Sequence, residues 1–251
     1  ISGSDDPLRY TDFGPLVPGF TVVPFNDTDA LEKAFQTNPN IVGYMVEPIQ
    51  GEAGIIVPED GYLKKVQDLC KKYNVLFIAD EIQAGLGRAG YMLGSDHEEG
   101  VRPDIVIMSK AITGGVIPFS STMADSHIID TIGMGQHGST YGGYALGCAV
   151  AKAAIEVVIE EDLCARSLEN GAFFKNELMK LESPIIKEIR GRGLWNSLEI
   201  TKKGIGKDFA EGLAKNGLAC KNTQDTTIRL APPLTIERPE LEQAVDIIQK
   251  T

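Results

Sequence analysis

The chain has 251 residues, of which 43% are hydrophobic and 24% charged, as in ordinary soluble globular proteins. Its 24 lysines and arginines against 35 aspartates and glutamates leave a net charge of −11, which argues against nucleic acid or an anionic membrane as a partner. No apolar run approaches the roughly 18 residues of a membrane span. The four cysteines and three histidines are scattered, which predicts reduced thiols and no metal site.

The first half of the chain alternates helix-like and strand-like segments at a spacing of about thirty residues, which is typical of βαβ units. Asp27 to Asp29 predict the start of a helix over 30–35, and the apolar spacing of 61–73 predicts a second helix. Apolar runs predict three buried strands, at 41–46, 75–79 and 105–108. Because these runs are almost continuously apolar, we expect a mostly parallel sheet with helices on both faces.

The pattern changes in the second half. A long helix is predicted over 144–160, with Leu146, Val150 and Val157 on its packed stripe. The segments that follow are typical of a smaller α+β unit: a helix at 163–181, a strand at 194–200, a helix at 207–216, a strand at 227–230 and a helix from 238. We therefore expect a large domain over 1–154 and a small C-terminal domain over 155–251.

Polar residues end each of the three predicted parallel strands. Glu47, Asp80 and Lys110 stand at the carboxyl ends, where open parallel sheets bind their ligands. A lysine there can form a Schiff base with a carbonyl cofactor, and a neighbouring aspartate can hold the proton of a pyridinium nitrogen, which is the pairing that pyridoxal phosphate needs. From position alone, a salt bridge between Asp80 and Lys110 is an equal alternative.

Two glycine-rich segments are candidate phosphate sites. The segment 85–90 matches G-x-G-x-x-G, but no long helix follows it, which favours tight turns over dinucleotide binding. The segment 137–143 precedes a predicted helix, so its backbone N–H groups with Ser139 and Thr140 are a candidate phosphate seat. An ordinary glycine-rich turn is the alternative reading of that segment.

Arg229 lies between apolar neighbours near the C-terminus, and its planar guanidinium suits a carboxylate ligand. Glu52 lies in a loop bounded by glycines just after the first strand and is a candidate partner of Arg229. A purely structural ion pair is the alternative.

Five motifs, in order, resemble those of the class III pyridoxal-phosphate aminotransferases of fold type I. They lie at 45–54, 76–83, 103–115, 137–143 and 229–234. The similarity extends over nearly the whole chain and is greatest to the ornithine-using members. The resemblance implies an α/β protein with the fold of type I pyridoxal-phosphate-dependent transferases.

The resemblance also implies roles for residues around the cofactor, pyridoxal 5'-phosphate. Lys110 would form the internal aldimine and later move the proton between the substrate carbon and the cofactor carbon. Asp80 would pair with the pyridine nitrogen, Gln83 would hydrogen-bond the ring hydroxyl, and Ile82 would pack beneath the ring.

Further residues are implied to bind the phosphate and the substrates. Ser139 and Thr140 would hold the phosphate of the neighbouring subunit, so the implied active unit is a homodimer with sites at the interface. Arg229 would bind the α-carboxylate of glutamate or 2-oxoglutarate, and Glu52 would pair with Arg229 when ornithine is bound.

The implied reaction is a ping-pong transfer of the δ-amino group of ornithine to 2-oxoglutarate, which yields glutamate semialdehyde and glutamate. Acetylornithine or 4-aminobutyrate aminotransferase would use the same Lys110 and Asp80. From a different class, the chain could be a non-catalytic remnant of the fold that acts as a binding or scaffold module.

The chain departs from the family pattern in three respects. Tyr144-Ala145 replaces the usual Asn-Pro, and Ala84 replaces a customary Thr. The N-terminal third of the family's fold is absent, so we expect residues 1–251 alone not to be a complete catalytic unit. The mitochondrial matrix and the cytoplasm are both compatible with the sequence.

Overall fold

The structure is a computed structural model that describes residues 2–4 and 6–251. The helices are α1 (Pro7–Tyr10), α2 (Thr28–Thr37), α3 (Tyr62–Tyr73), α4 (Ser126–Ile129), α5 (Ala145–Glu160), α6 (Leu163–Met179), α7 (Gly206–Lys215) and α8 (Arg238–Lys250). The strands are β1 (Gly43–Val46), β2 (Leu76–Asp80), β3 (Ile105–Met108), β4 (Ser121–Ala124), β5 (Ile186–Arg192), β6 (Trp195–Ile200), β7 (Lys221–Thr223) and β8 (Thr227–Leu230). Two 3₁₀ turns lie at Gly94–His97 and Lys110–Thr113.

The first sheet has the strand order β1-β2-β3-β4. The predicted parallel pairing of β1 with β2 and of β2 with β3 is confirmed. The antiparallel edge strand β4, which pairs with β3, was not predicted. Because the three parallel strands end at the same edge, the residues that follow them are brought together.

Helices α2 and α3 pack against one face of this sheet. The Asp27 carboxylate caps α2 by accepting the Ala30 N–H at 2.8 Å, as the sequence predicts. Leu31, Leu63 and Phe77 are buried between helices and sheet. On the opposite face, which carries Asp80, the Met45 side chain is 53% exposed.

The second sheet is antiparallel, in the order β5-β6-β8-β7. Its residues alternate between two faces, because successive side chains of a strand point to opposite sides. Leu198, Ile228 and Leu230 lie on the apolar face and form a core with α6, α7 and α8. Ser197, Glu199 and Arg229 lie on the other, polar face. That polar face packs against the loop that follows β1.

In helix α5, the residues that pack against the core are not the ones that the sequence predicts. Gly147 and Ala151 are buried, whereas Leu146 and Val157 are exposed. Because this helix is apolar on nearly all sides, periodicity could not identify the stripe that faces the core. The domain boundary near residue 154 stays a prediction, and that residue lies inside α5.

The G-x-G-x-x-G segment opens no helix. Gly87 and Gly90 have positive φ angles of 86° and 92°, which residues with a side chain rarely adopt. At Gly90, a Cβ atom would lie 2.2 Å from the Leu168 side chain, so the backbone there approaches α6 closely. The glycines therefore serve tight turns and close packing.

Candidate active site

The three polar residues predicted at the strand ends lie at one edge of the first sheet. Asp80 is the last residue of β2, and Glu47 and Lys110 follow β1 and β3. Burial raises the pKa of Glu47; the Gly51 N–H, at 2.9 Å, opposes that rise, and the charge of Asp80 adds to it. Burial at this edge of the sheet therefore favours the neutral form of the Glu47 carboxyl.

Lys110 has an unusual backbone conformation. Its φ of 49° lies in the left-handed region, which costs a residue with a side chain about 1–3 kcal/mol. The flanking residues hold this turn, because the Ser109 hydroxyl donates to the Phe119 carbonyl at 2.8 Å and the Thr113 hydroxyl donates to the Ile117 carbonyl. The side chain of Lys110 is exposed, so its amine is accessible at the sheet edge.

Asp80 begins the turn that carries Ile82 and Gln83. Its Oδ1 accepts the Ile82 N–H at 3.0 Å, as in an Asx turn. The adjacent Glu81 is buried and accepts N–H groups of Gly94 and Ser95 at 2.6 and 2.9 Å. These bonds fix the turn against the rest of the domain.

Four polar side chains meet where the two sheets face each other: Glu52, Gln83, Lys221 and Arg229, called here the Glu52 cluster. Arg229 Nη1 lies 2.6 Å from Glu52 Oε1, and Arg229 Nη2 donates to Gln83 Oε1 at 3.0 Å. Lys221 Nζ lies 3.0 Å from Glu52 Oε2. The predicted pairing of Glu52 with Arg229 is therefore present in the structure, and Gln83 joins it.

The polar face of the second sheet positions this cluster. Arg190 Nε and the Ser197 hydroxyl both donate to the Gly54 carbonyl, at 2.9 and 3.3 Å, and the Thr223 hydroxyl donates to the Glu52 carbonyl at 2.7 Å. Under the same loop, the Trp195 ring is only 1% exposed. The guanidinium carbon of Arg229 lies 5.8 Å from the centroid of that ring. Backbone and side-chain contacts thus hold the Glu52 loop in place.

Arg88 was missed by the sequence analysis. Its Nη1 donates to the carbonyls of Leu194 and Pro232, both at 2.7 Å, which ties the glycine-rich segment to the second sheet. Burial, together with repulsion from Arg229, lowers the pKa of Arg88 to about 10. Lys221 was also missed, because 221–223 carries no hydrophobic alternation from which a strand could be predicted.

Ser139 and Thr140 lie apart from these groups. Both are exposed in the loop before α5, where the Ser139 hydroxyl accepts the Tyr141 N–H at 3.2 Å. Across residues 2–4 and 6–251, no hydrogen bond joins either of them to Lys110 or Asp80. Their predicted role toward a phosphate stays a prediction.

Among the described residues, every helix is too short or too polar to span a membrane. In the same residues, no three or more His, Cys, Asp or Glu side chains are grouped so as to hold a metal ion.

The sequence is similar to those of several ornithine aminotransferases. It is 51% identical over 253 residues to the mitochondrial ornithine aminotransferase of Rattus norvegicus, and the aligned region covers 100% of this chain and 57% of that protein. It is 51% identical over 238 residues to the ornithine aminotransferase of Brevibacillus brevis, and the aligned region covers 95% of this chain and 58% of that protein. The chain thus spans about three fifths of the length of these relatives.

Solved structures have the same fold. The ornithine aminotransferase of Toxoplasma gondii, with partial occupancy of PLP at its active site, has a TM-score of 0.95 at 42% identity, over 99% of this chain and 59% of that one. The acetylornithine aminotransferase of Elizabethkingia anophelis has a TM-score of 0.90 at 45% identity, over 93% of this chain and 62% of that one. The class-III aminotransferase family matches residues 2–251. The chain therefore belongs to the class-III aminotransferases.

Proposed function

We propose that the protein is an ornithine δ-aminotransferase that uses pyridoxal 5'-phosphate. The observation that carries this proposal is the ion pair between Glu52 and Arg229, 2.6 Å apart, beside Gln83. An arginine that a carboxylate can cover or release allows one site to bind two unlike substrates in turn. With Arg229 covered, the site accepts the δ-amino end of ornithine; with Arg229 free, it binds a carboxylate of 2-oxoglutarate or glutamate.

The donor set at the sheet edge fits the cofactor. Lys110 supplies an accessible amine for the cofactor aldehyde, and Asp80 supplies a carboxylate for the pyridine nitrogen. Gln83 would donate to the ring hydroxyl, and Ile82, half-buried in the same turn, would pack on the ring. When bound, pyridoxal phosphate supplies an electron sink for the carbanion formed at the substrate carbon.

The chain's own residues then divide the work. The Lys110 amine would act as the general base that takes the proton from the substrate carbon, and such a positioned base contributes about 10²–10⁴-fold. Asp80 holds the pyridine proton in place. Glu52 and Arg229 admit ornithine first and 2-oxoglutarate second, so the products are glutamate semialdehyde and glutamate.

We infer a homodimer with the sites at its interface. The support is a set of large hydrophobic side chains that are exposed in the predicted phosphate loop and in the segments before and after it. These residues are Val116, Ile132, Met134, Tyr141 and Leu146. In such a dimer Ser139 and Thr140 reach the partner's cofactor phosphate. Mixing a Lys110→Ala protein with a Thr140→Ala protein tests this arrangement, because hybrid dimers with one intact site regain activity.

A direct test is borohydride reduction of the cofactor-loaded protein, expressed from the complete gene, followed by peptide mapping. A pyridoxyl group on Lys110 is expected. An unmodified Lys110 contradicts the aminotransferase proposal and favours the binding or scaffold alternative. The prediction that residues 1–251 alone are not a complete catalytic unit is tested by the turnover of that purified piece.

Acetylornithine aminotransferase is the second candidate, because the Elizabethkingia anophelis structure matches this chain at 45% identity. Turnover of ornithine, N-acetylornithine and 4-aminobutyrate by the same preparation separates the candidates. A preference for either of the last two contradicts the ornithine proposal. The sequence prediction of a mitochondrial or cytoplasmic enzyme stays a prediction.

A further inference from the structure

The carboxylate of Glu52 is shared between two cations. Its Oε1 lies 2.6 Å from Arg229 Nη1, and its Oε2 lies 3.0 Å from Lys221 Nζ. The two cations differ in environment, since the side chain of Arg229 is 13% exposed and that of Lys221 is 65% exposed. Arg229 is therefore mostly buried, Lys221 lies at the surface, and Glu52, at 43% exposed, lies between them.

The strand pairing places Lys221 next to Arg229. The two residues are directly opposite each other in the antiparallel pair of β7 and β8, so both side chains lie on the polar face of the sheet. The same hairpin also holds the backbone of Glu52, because the Thr223 hydroxyl and the Gln224 amide donate to its carbonyl at 2.7 and 3.3 Å. Lys221 is thus built into the element that fixes the Glu52 loop.

We propose that Lys221 is a positioning residue that retains the Glu52 carboxylate when Arg229 is released to bind a dicarboxylate substrate. This inference rests on the proposed function of the site. If Glu52 had only Arg229, the release of Arg229 would leave the carboxylate without a cation. With Lys221 in place, part of the charge of Glu52 is already balanced, so the carboxylate attracts Arg229 less strongly. Less free energy is then lost when Arg229 is released, and the arrangement with Arg229 free becomes more accessible.

The charges support the same assignment. Although partial burial opposes the shift, hydrogen bonds from Lys221 and Arg229 hold the pKa of Glu52 below its usual range. Because Lys221 is mostly exposed, water screens its attraction, and the effect on binding is modest. We expect a change of about two- to fivefold on one substrate only.

The first experiment compares steady-state and half-reaction kinetics of Lys221→Met with wild type, in the cofactor-loaded protein expressed from the complete gene. The KM for 2-oxoglutarate is expected to rise about two- to fivefold, with the ornithine half-reaction unchanged. Lys221→Arg keeps the cation and should keep the KM. The matched control is Lys207→Met, which removes an exposed lysine that pairs with Glu211 at 3.8 Å on the same unit; it should change neither half-reaction.

A double-mutant cycle shows whether Lys221 acts through Glu52. In a Glu52→Ala background, Lys221→Met should have no further effect on the KM for 2-oxoglutarate. A persisting effect would mean that Lys221 contacts the substrate itself, which overturns the proposal. Equal losses in both half-reactions, or no change in either, would overturn it as well.

A separate measurement does not depend on transamination. Carbon NMR of glutamate-labelled protein follows the titration of the Glu52 carboxyl, whose midpoint should rise in Lys221→Met and stay unchanged in Lys207→Met. If wild type does not transaminate ornithine, the proposed function fails while this pairing is still measured. If wild type is active but neither kinetics nor titration responds to Lys221→Met, the inference about Lys221 alone is wrong.

Discussion

The two sheets differ in how far the rest of the chain covers their polar residues. On the second sheet, the polar face is closed by the chain itself: Arg190, Ser197 and Arg229 all donate to groups of the loop that carries Glu52. On the first sheet, the face that carries Asp80 is only partly covered. Among the described residues, the carboxylate of Asp80 accepts one hydrogen bond, from the Ile82 N–H.

The candidate site therefore has two halves. The closed half is the polar face of the second sheet with the Glu52 loop, and the open half is the edge of the first sheet with Asp80 and Lys110. The half that we propose to bind the substrate carboxylate is held together by hydrogen bonds within the chain. The half that would hold the cofactor presents an exposed amine at Lys110 and an exposed loop at Ser139 and Thr140. Substitutions on the open half should therefore alter chemistry with little effect on stability, and those on the closed half should alter stability first.

The largest effect is expected on the open half. Lys110→Ala should lower transamination by at least about 10³-fold, because in the proposed function the amine both binds the cofactor and moves the proton. Its free energy of unfolding should stay within about 0.5 kcal/mol of wild type, because the side chain is exposed. Single-turnover kinetics and urea unfolding measure the two quantities. Substantial turnover by the variant would contradict the assignment.

On the closed half, Trp195→Ala should destabilise the protein by about 3–5 kcal/mol. The ring is buried against Ile49, Ile55, Ala84 and Ala89, so its removal leaves a cavity under the Glu52 loop. Urea unfolding followed by circular dichroism measures this loss. Trp195→Phe is the matched control and should cost less than half as much. A cost below about 1 kcal/mol for Trp195→Ala would show that the two units pack loosely.

Glu199 makes the stability of the closed half depend on pH. Although burial opposes the shift, hydrogen bonds from Thr226, Thr227 and Arg190 lower the pKa of Glu199 from 4.5 to about 2. A carboxyl whose pKa is lowered by folding stabilises the fold at any pH above its pKa in the unfolded chain. This contribution disappears as pH falls from about 4.5 to about 2. Glu199→Gln should therefore cost about 3 kcal/mol at pH 7 and almost nothing near pH 2.

Unfolding of wild type and Glu199→Gln at several pH values tests this dependence. Glu169→Gln is a suitable control, because Glu169 forms an exposed pair with Arg238 at 2.7 Å. Its cost should be small at every pH. A difference between wild type and Glu199→Gln that does not vary with pH would contradict the prediction.

The smallest effect concerns the boundary between the halves. Glu52→Gln removes the charge that covers Arg229, so the KM for 2-oxoglutarate should fall and the KM for ornithine should rise. The ratio of the two KM values should change by about tenfold, as expected for one ion pair at a partly exposed site. Equal changes in both KM values would show that Glu52 does not discriminate between the substrates.

Much of the open half could be predicted from the sequence, because it depends on local rules. Apolar runs locate parallel strands, and parallel strands end at one edge, which places Asp80 and Lys110 together. In the unit that contains the second sheet, the strand at Thr227–Leu230 and the start of α8 at Arg238 were also predicted to the residue. These features need no knowledge of distant contacts.

The closed half could be predicted only in part, because it depends on contacts between distant residues. Glu52 and Arg229 are 177 positions apart, so sequence suggested the pair without locating it. Strand β5 (Ile186–Arg192) escaped prediction because its many charged residues hide the apolar alternation. Strand β7 escaped prediction because its three residues are all polar. The packed stripe of helix α5 was predicted wrongly for the converse reason, because apolar residues lie on nearly all sides of that helix.

The bonds of Arg88 to the Leu194 and Pro232 carbonyls have a consequence for the speed of substrate switching. They tie the glycine-rich segment to the second sheet, so the exchange between a covered and a free Arg229 should not need the two units to separate. Rotation of side chains such as Glu52 takes picoseconds to nanoseconds, whereas hinge motions of domains take microseconds to milliseconds. Typical enzymes turn over about 1–10³ times per second. We therefore expect the exchange between the two substrates to add no slow step to the catalytic cycle.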